Sequence, residues 1–359
     1  MLVSAGGGVR KGRDLKICVT GGSGFIGRYL CEKLQGEGHT LSILDLIDPA
    51  WDLGGSRFVK GDIRGIDAVR AALDGCEGLI HLAAAHHDFG IAYDTYFDVN
   101  ARGAEILCRA MDEGGITRCC FYSSVAGFGE AEPPLEESTK PLPDTPYGAS
   151  KLEGEAVFRR WTDTGAGRRC IVIRPTVTFG PHNFANMYSL IRQIHSKRFL
   201  LVGDGSNIKS LSYVVNLVDA TMYLWEKRDL PAFEVFNYVE KPDLTSRGIA
   251  EAIYHSLGRA PPRLHVPMWL ARLAALPFDV VIALTGRNIP ISSARITKLF
   301  GMQTKFEAEK VRSAGFKPAV SLRQGIAAMV EWYVDSGHRE SSAWHQPPAE
   351  VTPFTGARA

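Results

Sequence analysis

No C-x-x-C pair occurs among the chain's seven cysteines, and their number is odd. Several lie in apolar, strand-like runs such as RCCFYSS, residues 118–124. That pattern speaks against a disulfide or zinc framework and for reduced core thiols in a cytoplasmic protein. Charge of one sign is also scarce in excess: 41 basic residues face 39 acidic ones, a formal net charge of +2. With no basic stripe or polybasic block, nucleic acid is not an expected partner. An uninterrupted apolar run of the roughly 20 residues needed to span a bilayer is missing too. The most apolar segment, Val266 to Gly286, is broken by Pro267, Arg272, Pro277 and Asp279. It reads as a buried or amphipathic helix pair, with peripheral membrane contact as the lesser reading. The opening MLVSAGGGVRKGR has no apolar core, so no signal peptide is expected. Internal repeats and low-complexity blocks are absent as well.

What is present is a chain of 359 residues, 45% hydrophobic, enough for a large core. From Leu15 to Pro175, short apolar runs alternate with segments of helical periodicity. LKICVT, HTLSILDL, SRFVKGD, GLIHLAA, TRCCFYSS and RRCIVIRP read as strands. YDTYFDVNARGAEILCRAMDEGG reads as one long helix. Strands this apolar are buried on both faces, which predicts an α/β fold: a doubly wound parallel sheet of Rossmann type. After Thr176 the alternation loosens into a smaller, mainly helical lobe. The expected division is a sheet domain over 14–180, with a return contribution from about 210–240. The lobe covers 181–336, and flexible tails cover 1–13 and 338–359.

TGGSGFIG follows the first strand and opens the first helix. Gly21, Gly24 and Gly27 suit a tight turn, close approach to a pyrophosphate and close helix–strand packing. The N–H groups from Ser23 and Gly24 through Phe25 and Ile26 face the phosphates at a helix start. Asp45 ends the second strand, 24 residues after Gly21. A carboxylate there accepts hydrogen bonds from ribose hydroxyls and repels a 2′-phosphate, so NAD is expected over NADP. Further on, TPYGASKLEGEA sets Tyr147 and Lys151 four residues apart on one helical face. An ammonium there lowers the phenol's pKa toward use as an acid or base. Spacing alone leaves open that the two are unrelated surface residues.

Together these motifs resemble the extended branch of the short-chain dehydrogenase/reductase superfamily, the NAD-dependent epimerase/dehydratase family. The resemblance runs from about Leu15 to Tyr333. It implies that Asp62 and Ile63 of the GDI stretch flank the adenine. Leu82, Ala83 and Ala84 of HLAA pass under the cofactor, and Pro175 lies by the nicotinamide. Asn100 in VNARG takes the place of a helix-kinking asparagine of the site. YSSVAGFG, counted back from Gly129, puts the catalytic hydroxyl on Ser124, with Ser123 beside it. Tyr147 becomes the acid/base, Lys151 lowers its pKa and holds the nicotinamide ribose, and Ser124 bonds the same substrate oxygen. The resemblance also implies a homodimer through the Tyr147 helix and the long helix before it.

Members of the branch differ in the step after oxidation. Its 4,6-dehydratases carry an Asp-Glu pair after the catalytic hydroxyl, and its nucleotide-sugar decarboxylases a nearby glutamate. Here Val125 and Ala126 come next, and neither moves a proton. Epimerisation or simple oxidation–reduction of a nucleotide-diphosphate sugar is expected, with Asn183, Asn186, Lys209 and Arg247 as candidate substrate contacts. One alternative is oxidation of an apolar alcohol, as in 3β-hydroxysteroid dehydrogenases, which the 266–286 segment would suit. Another is a non-catalytic NAD-binding regulator, disfavoured by the intact Ser124, Tyr147 and Lys151. His86 and His87 have no third ligand at suitable spacing, so no metal is expected.

Overall fold

The computed structural model describes residues 14–87, 91–262, 265–285 and 303–341. Its centre is a seven-stranded sheet in which every pairing is parallel. In chain order the strands are β1 (Lys16–Thr20), β2 (Thr40–Asp45), β3 (Arg57–Lys60), β4 (Gly78–His81), β5 (Arg118–Tyr122), β6 (Arg169–Pro175) and β10 (Phe233–Tyr238). Across the sheet the order is β10-β6-β5-β4-β1-β2-β3. The order reverses between β1 and β4, and a doubly wound sheet opens its binding crevice at such a switch point.

Side-chain alternation assigns the two faces. Ile17, Val19, Ile43 and Phe236 pack toward α1 (Phe25–Gly36) and α7 (Val214–Glu226), where Trp225 is buried. Cys18, Leu79, Cys119 and Phe121 pack toward α2 (Ile66–Leu73), α4 (Gly103–Glu113) and α5 (Pro146–Asp163). All seven cysteines are buried free thiols.

The helix expected as one piece before β5 has three parts. α3 (Tyr93–Phe97) runs into a single π-helical turn, Asp98–Arg102, and α4 follows. The widened turn is centred on Asn100, which is fully buried. Hydrophobic period alone does not register it, because the apolar stripe continues on both sides.

The lobe holds two small strand pairs. β7 (Val177–Phe179) pairs with β9 (Leu211–Tyr213), and β8 (Ile208–Lys209) pairs with β11 (Leu244–Thr245). Around them lie α6 (Asn186–His195), α8 (Ser246–Ser256), α9 (Met268–Thr285), α10 (Glu309–Ser313) and α11 (Leu322–Asp335). Its own core joins Phe179, Ile191, Ile253, Ile326 and Met329. A capping box at Ser321 and Gln324 starts α11. Residues 338–341, expected as the beginning of a flexible tail, are folded. Gly337–Arg339 forms a 3-10 turn, and Glu340 bonds His182 at 3.3 Å. The rest of that expected tail and residues 1–13 lie outside the described residues.

Candidate active site

The glycine turn after β1 is built as the spacing requires. Gly21 has φ of +75°, and a Cβ there would come within 2.5 Å of the Ala83 nitrogen. The strand ends after β1 and β4 therefore meet with no side chain between them. A Cβ on Gly27 would fall 2.3 Å from the Gly21 carbonyl oxygen, so Gly27 serves helix–turn packing. Gly24 caps α1 without a side-chain bond, which leaves the first helical N–H groups facing outward.

Asp45 ties the second strand to this turn. Its Oδ2 accepts from the Ser23 N–H at 2.9 Å, and its Oδ1 accepts from the Leu46 N–H at 2.7 Å. Burial raises its pKa, and those backbone donors work against the rise. Oδ1 also accepts from the Ile47 N–H at 3.5 Å, and Oδ2 keeps a further lone pair for a ribose hydroxyl. A cleft of about 660 Å³ runs along these strand ends. Gly21, Ser23, Gly24, Phe25, Asp45, Asp62, Ile63, Leu82, Ala83 and Ala84, all expected from the sequence, line it together with Asn183. The free helix N-terminus, the backbone cradle at Gly21 and the Asp45 acceptors fit a dinucleotide.

Beside the cleft, Thr145 caps α5, accepting from the Gly148 N–H at 3.1 Å, and Pro146 takes the first helical position. Tyr147 and Lys151 follow on the next turn and a half, with Tyr147 half-buried and Lys151 only 1% exposed. The Lys151 ammonium lies over the Phe121 ring at 4.4 Å. Phe121 in turn stacks on His81 at 5.3 Å. Desolvation brings the Lys151 pKa down to about 7, against an upward pull from Glu155. His81 is held neutral, its pKa pushed well down by burial and then by Lys151.

Ser124 is the extended residue that caps the turn Val125–Phe128, its Oγ accepting from the Ala126 N–H at 3.1 Å. The hydroxyl hydrogen remains to donate elsewhere. Its neighbour is engaged differently. Ser123 donates to Glu155 Oε1 at 2.5 Å, and Arg174 holds the same carboxylate through Nε at 2.7 Å and Nη2 at 2.6 Å. A Cβ on Gly148 would lie 2.3 Å from the Ala126 carbonyl oxygen. The absent side chain thus lets the Ser124 turn and the Tyr147 helix touch backbone to backbone.

Asn100 links the remaining parts. Its Oδ1 accepts from the Ala85 N–H at 2.9 Å, and its Nδ2 donates to the Ala85 carbonyl at 3.1 Å and to Ser150 Oγ at 2.9 Å. Ser150 Oγ then donates to the Tyr147 carbonyl at 2.9 Å. Both amide hydrogens of Asn100 are committed to the protein. Asn100, expected as a residue of the site, thus connects the strand end at Ala85 to the start of α5.

Residues 17–238 match the model of the NAD dependent epimerase/dehydratase family. The N-acetyl-alpha-D-glucosaminyl-diphospho-ditrans,octacis-undecaprenol 4-epimerase of Escherichia coli O157:H7 is 34% identical, across 88% of this chain and 94% of that protein. The chain belongs to the NAD-dependent epimerase/dehydratase family. The dTDP-glucose 4,6-dehydratase of Streptomyces niveus, 26% identical, matches 96% of this chain and 98% of its own. The fold is that of UDP-glucuronic acid 4-epimerase from Bacillus cereus, solved with NAD, at a TM-score of 0.70 and 20% identity. That match covers 89% of this chain and 98% of the other. As a member of the epimerase/dehydratase family the protein is an NAD-dependent enzyme, and NAD is its cofactor.

Some expected positions fall outside the cleft lining. Ile26 and Gly27 lie in α1 behind it, and Pro175 ends β6. Ser124, Tyr147, Lys151 and Asn100 are likewise not among the residues lining it. Asn186 is exposed at the start of α6, and Asn183 Oδ1 accepts from the Ala185 N–H at 3.0 Å. Lys209 sits half-buried on β8, its pKa pushed down by burial. Arg247 starts α8, its Nε donating to the Asp204 carbonyl at 2.8 Å. Sequence reasoning did not name Arg28, Trp51, His182, Phe184 or Glu340, which also line the cleft. Tyr29 holds the 181–185 loop over α1 by donating to the Pro181 carbonyl at 3.0 Å. His86 and His87 stack at 4.5 Å along the rim. Among the described residues no three His, Cys, Asp or Glu side chains form a metal cluster.

Proposed function

We propose that the enzyme inverts C4 of a hexose or hexosamine carried on a diphosphate. The observation that carries this reading is the turn after the candidate hydroxyl. Val125 and Ala126 stand there, so neither neighbour of Ser124 can make the second proton transfer that dehydration or decarboxylation needs. The full-length kinship to a 4-epimerase supports it.

In the proposed mechanism the Tyr147 phenolate takes the C4 hydroxyl proton. Ser124 donates a hydrogen bond to the same oxygen and follows it from alcohol to ketone. The cleft residues at Gly21, Ser23 and Asp45 would hold NAD, which would supply reversible hydride acceptance at C4. The 4-keto sugar turns over between the two transfers. Tyr147 then gives its proton back to the new C4 oxygen, so atoms and charge balance over the cycle. Lys151, poised near neutrality, supplies the cation that keeps the phenol acidic. Lys209 and Arg247 are the proposed diphosphate partners. The carrier is read from the sequence as a nucleotide, whereas the undecaprenol-linked substrate named for the E. coli relative suggests a lipid. A sugar diphosphate is common to both.

The apolar-alcohol alternative draws on α9, yet among the described residues none of α9 lines the cleft. Tyr147→Phe tests the central assignment. It is expected to keep NAD affinity while lowering kcat about 10²–10⁴-fold. Turnover within a few-fold of the parent would remove Tyr147 from its role.

A further inference from the structure

α9 is amphipathic in an inverted sense. Among its described side chains, those turned to the body are small: Ala271 and Ala275 are 8% and 1% exposed. The large apolar side chains described on it point outward. Trp269, Leu270, Leu273 and Leu276 are 67%, 42%, 55% and 49% exposed. Four of the ten strongly exposed large hydrophobic residues among those described thus fall within two turns of one helix. Scattered singly they would need no explanation, but clustered they mark a contact surface.

The patch continues onto the neighbouring loop. Leu200, 68% exposed, precedes a short pairing in which the Val266 N–H donates to the Leu201 carbonyl at 2.8 Å. The Gly203 N–H donates back to the Val266 carbonyl at 2.9 Å. Cations border the patch. Lys197 and Arg198 are exposed just before Leu200, and Arg272 is exposed on α9 between Trp269 and Leu273. The same loop leads on to the candidate diphosphate residues, since the Asp204 carbonyl accepts from Arg247 and Gly205 packs against the Arg247 backbone. Apolar face, cationic border and diphosphate partners therefore succeed one another along one side of the lobe.

We propose that this face of α9, with Leu200, docks the enzyme in the plane of an anionic lipid bilayer and presents its Arg247 side to a sugar diphosphate carried on a membrane lipid. The proposal rests on the diphosphate-sugar reading above and chooses the lipid as carrier. No described helix is long and apolar enough to cross a membrane, and Pro277 interrupts α9, so the contact is interfacial. A second copy of the chain fits less well. An isologous pairing sets the same patch against itself and would bring Arg272, Lys197 and Arg198 toward their own symmetry mates. An anionic surface neutralises the same cations.

The test is flotation of the full chain with vesicles of phosphatidylethanolamine and phosphatidylglycerol. The parent protein is expected to float with them. The variant Trp269→Ser/Leu273→Ser/Leu276→Ser is expected to partition at least about tenfold less, with unchanged NAD affinity and melting temperature. Lys197→Glu/Arg198→Glu should weaken flotation on these vesicles and leave it unaltered on phosphatidylcholine alone. A parent that stays at the bottom, or a triple variant that floats equally, would overturn the proposal. So would a fall in molar mass by light scattering in the triple variant without lipid, which assigns the face to a second copy. Epimerisation of a detergent-dispersed, short-chain polyprenyl diphosphate N-acetylhexosamine is measured separately. Turnover there without flotation sinks the docking surface and leaves the diphosphate-sugar reading standing. Flotation with turnover only of nucleotide sugars keeps the docking surface and removes the lipid as carrier, while flotation with no turnover of either sinks that reading itself.

Discussion

Burial of the Lys151 ammonium is offset by a ring face from Phe121 and an opposite charge from Glu155, whose carboxylate Arg174 and Ser123 hold. A lysine brought down to about 7 has a pH signature. Above that value the folded protein carries the neutral amine, while the unfolded chain holds the proton up to about 10.5. The unfolded state binds more protons in that window, so this group's contribution to stability rises with pH between the two values and is flat below about 7. Denaturant midpoints of the NAD-free parent should climb across that range relative to those of Lys151→Met. Parallel pH profiles would contradict the depressed pKa. Asp45 makes a second residue-scale prediction. If Asp45 is the acceptor of the ribose hydroxyls as the sequence expects, Asp45→Ala should lower NAD affinity and relax the preference over NADP. An unchanged preference in cofactor titrations would free Asp45 of that role.

Among the elements, α5 does most to assemble the site, and it does so through small residues. Gly148 meets the Ala126 carbonyl, Ser150 relays between Asn100 and Tyr147, and Gly154 lets the helix approach the Asn100 backbone. Gly148→Ala should push α5 away from the Ser124 turn. Overpacking of this kind costs roughly 1–3 kcal/mol, seen as a lower denaturant midpoint, with kcat falling more than NAD affinity. A variant with parental kcat would show that the close approach is not needed. Patterns confined to one element were legible beforehand. The glycine turn, Asp45 and the Tyr147–Lys151 pair have fixed spacings that arise from one turn, one strand end and one helical face. Ser124 was separable from Ser123 only by counting within a resemblance. That Glu155 takes the Ser123 hydroxyl, which leaves Ser124 as the candidate, rests on a contact 32 residues away. The irregular turn at Asn100 comes only from the resemblance, as a helix kink, whereas the hydrophobic period reads as one continuous helix there.

For the whole molecule, the doubly wound parallel sheet follows from strand–helix alternation, and the structure has that architecture. The far wall of the cleft was not readable. His182 meets Glu340 across 158 residues of sequence, and neither belongs to a pattern that would draw attention to it. The exposed stripe of α9 was legible as apolar composition, but its direction was not, because only packing decides that Ala271 and Ala275 face inward. The central claim is that cofactor, Tyr147 and a turn without carboxylates together invert one sugar carbon. The most direct test is a proton NMR time course of the enzyme with NAD and a panel of diphosphate-linked hexoses and N-acetylhexosamines. The account predicts a new anomeric signal from the C4 epimer with no net NADH. NADH growing in step with substrate loss, or a dehydrated sugar, would contradict it.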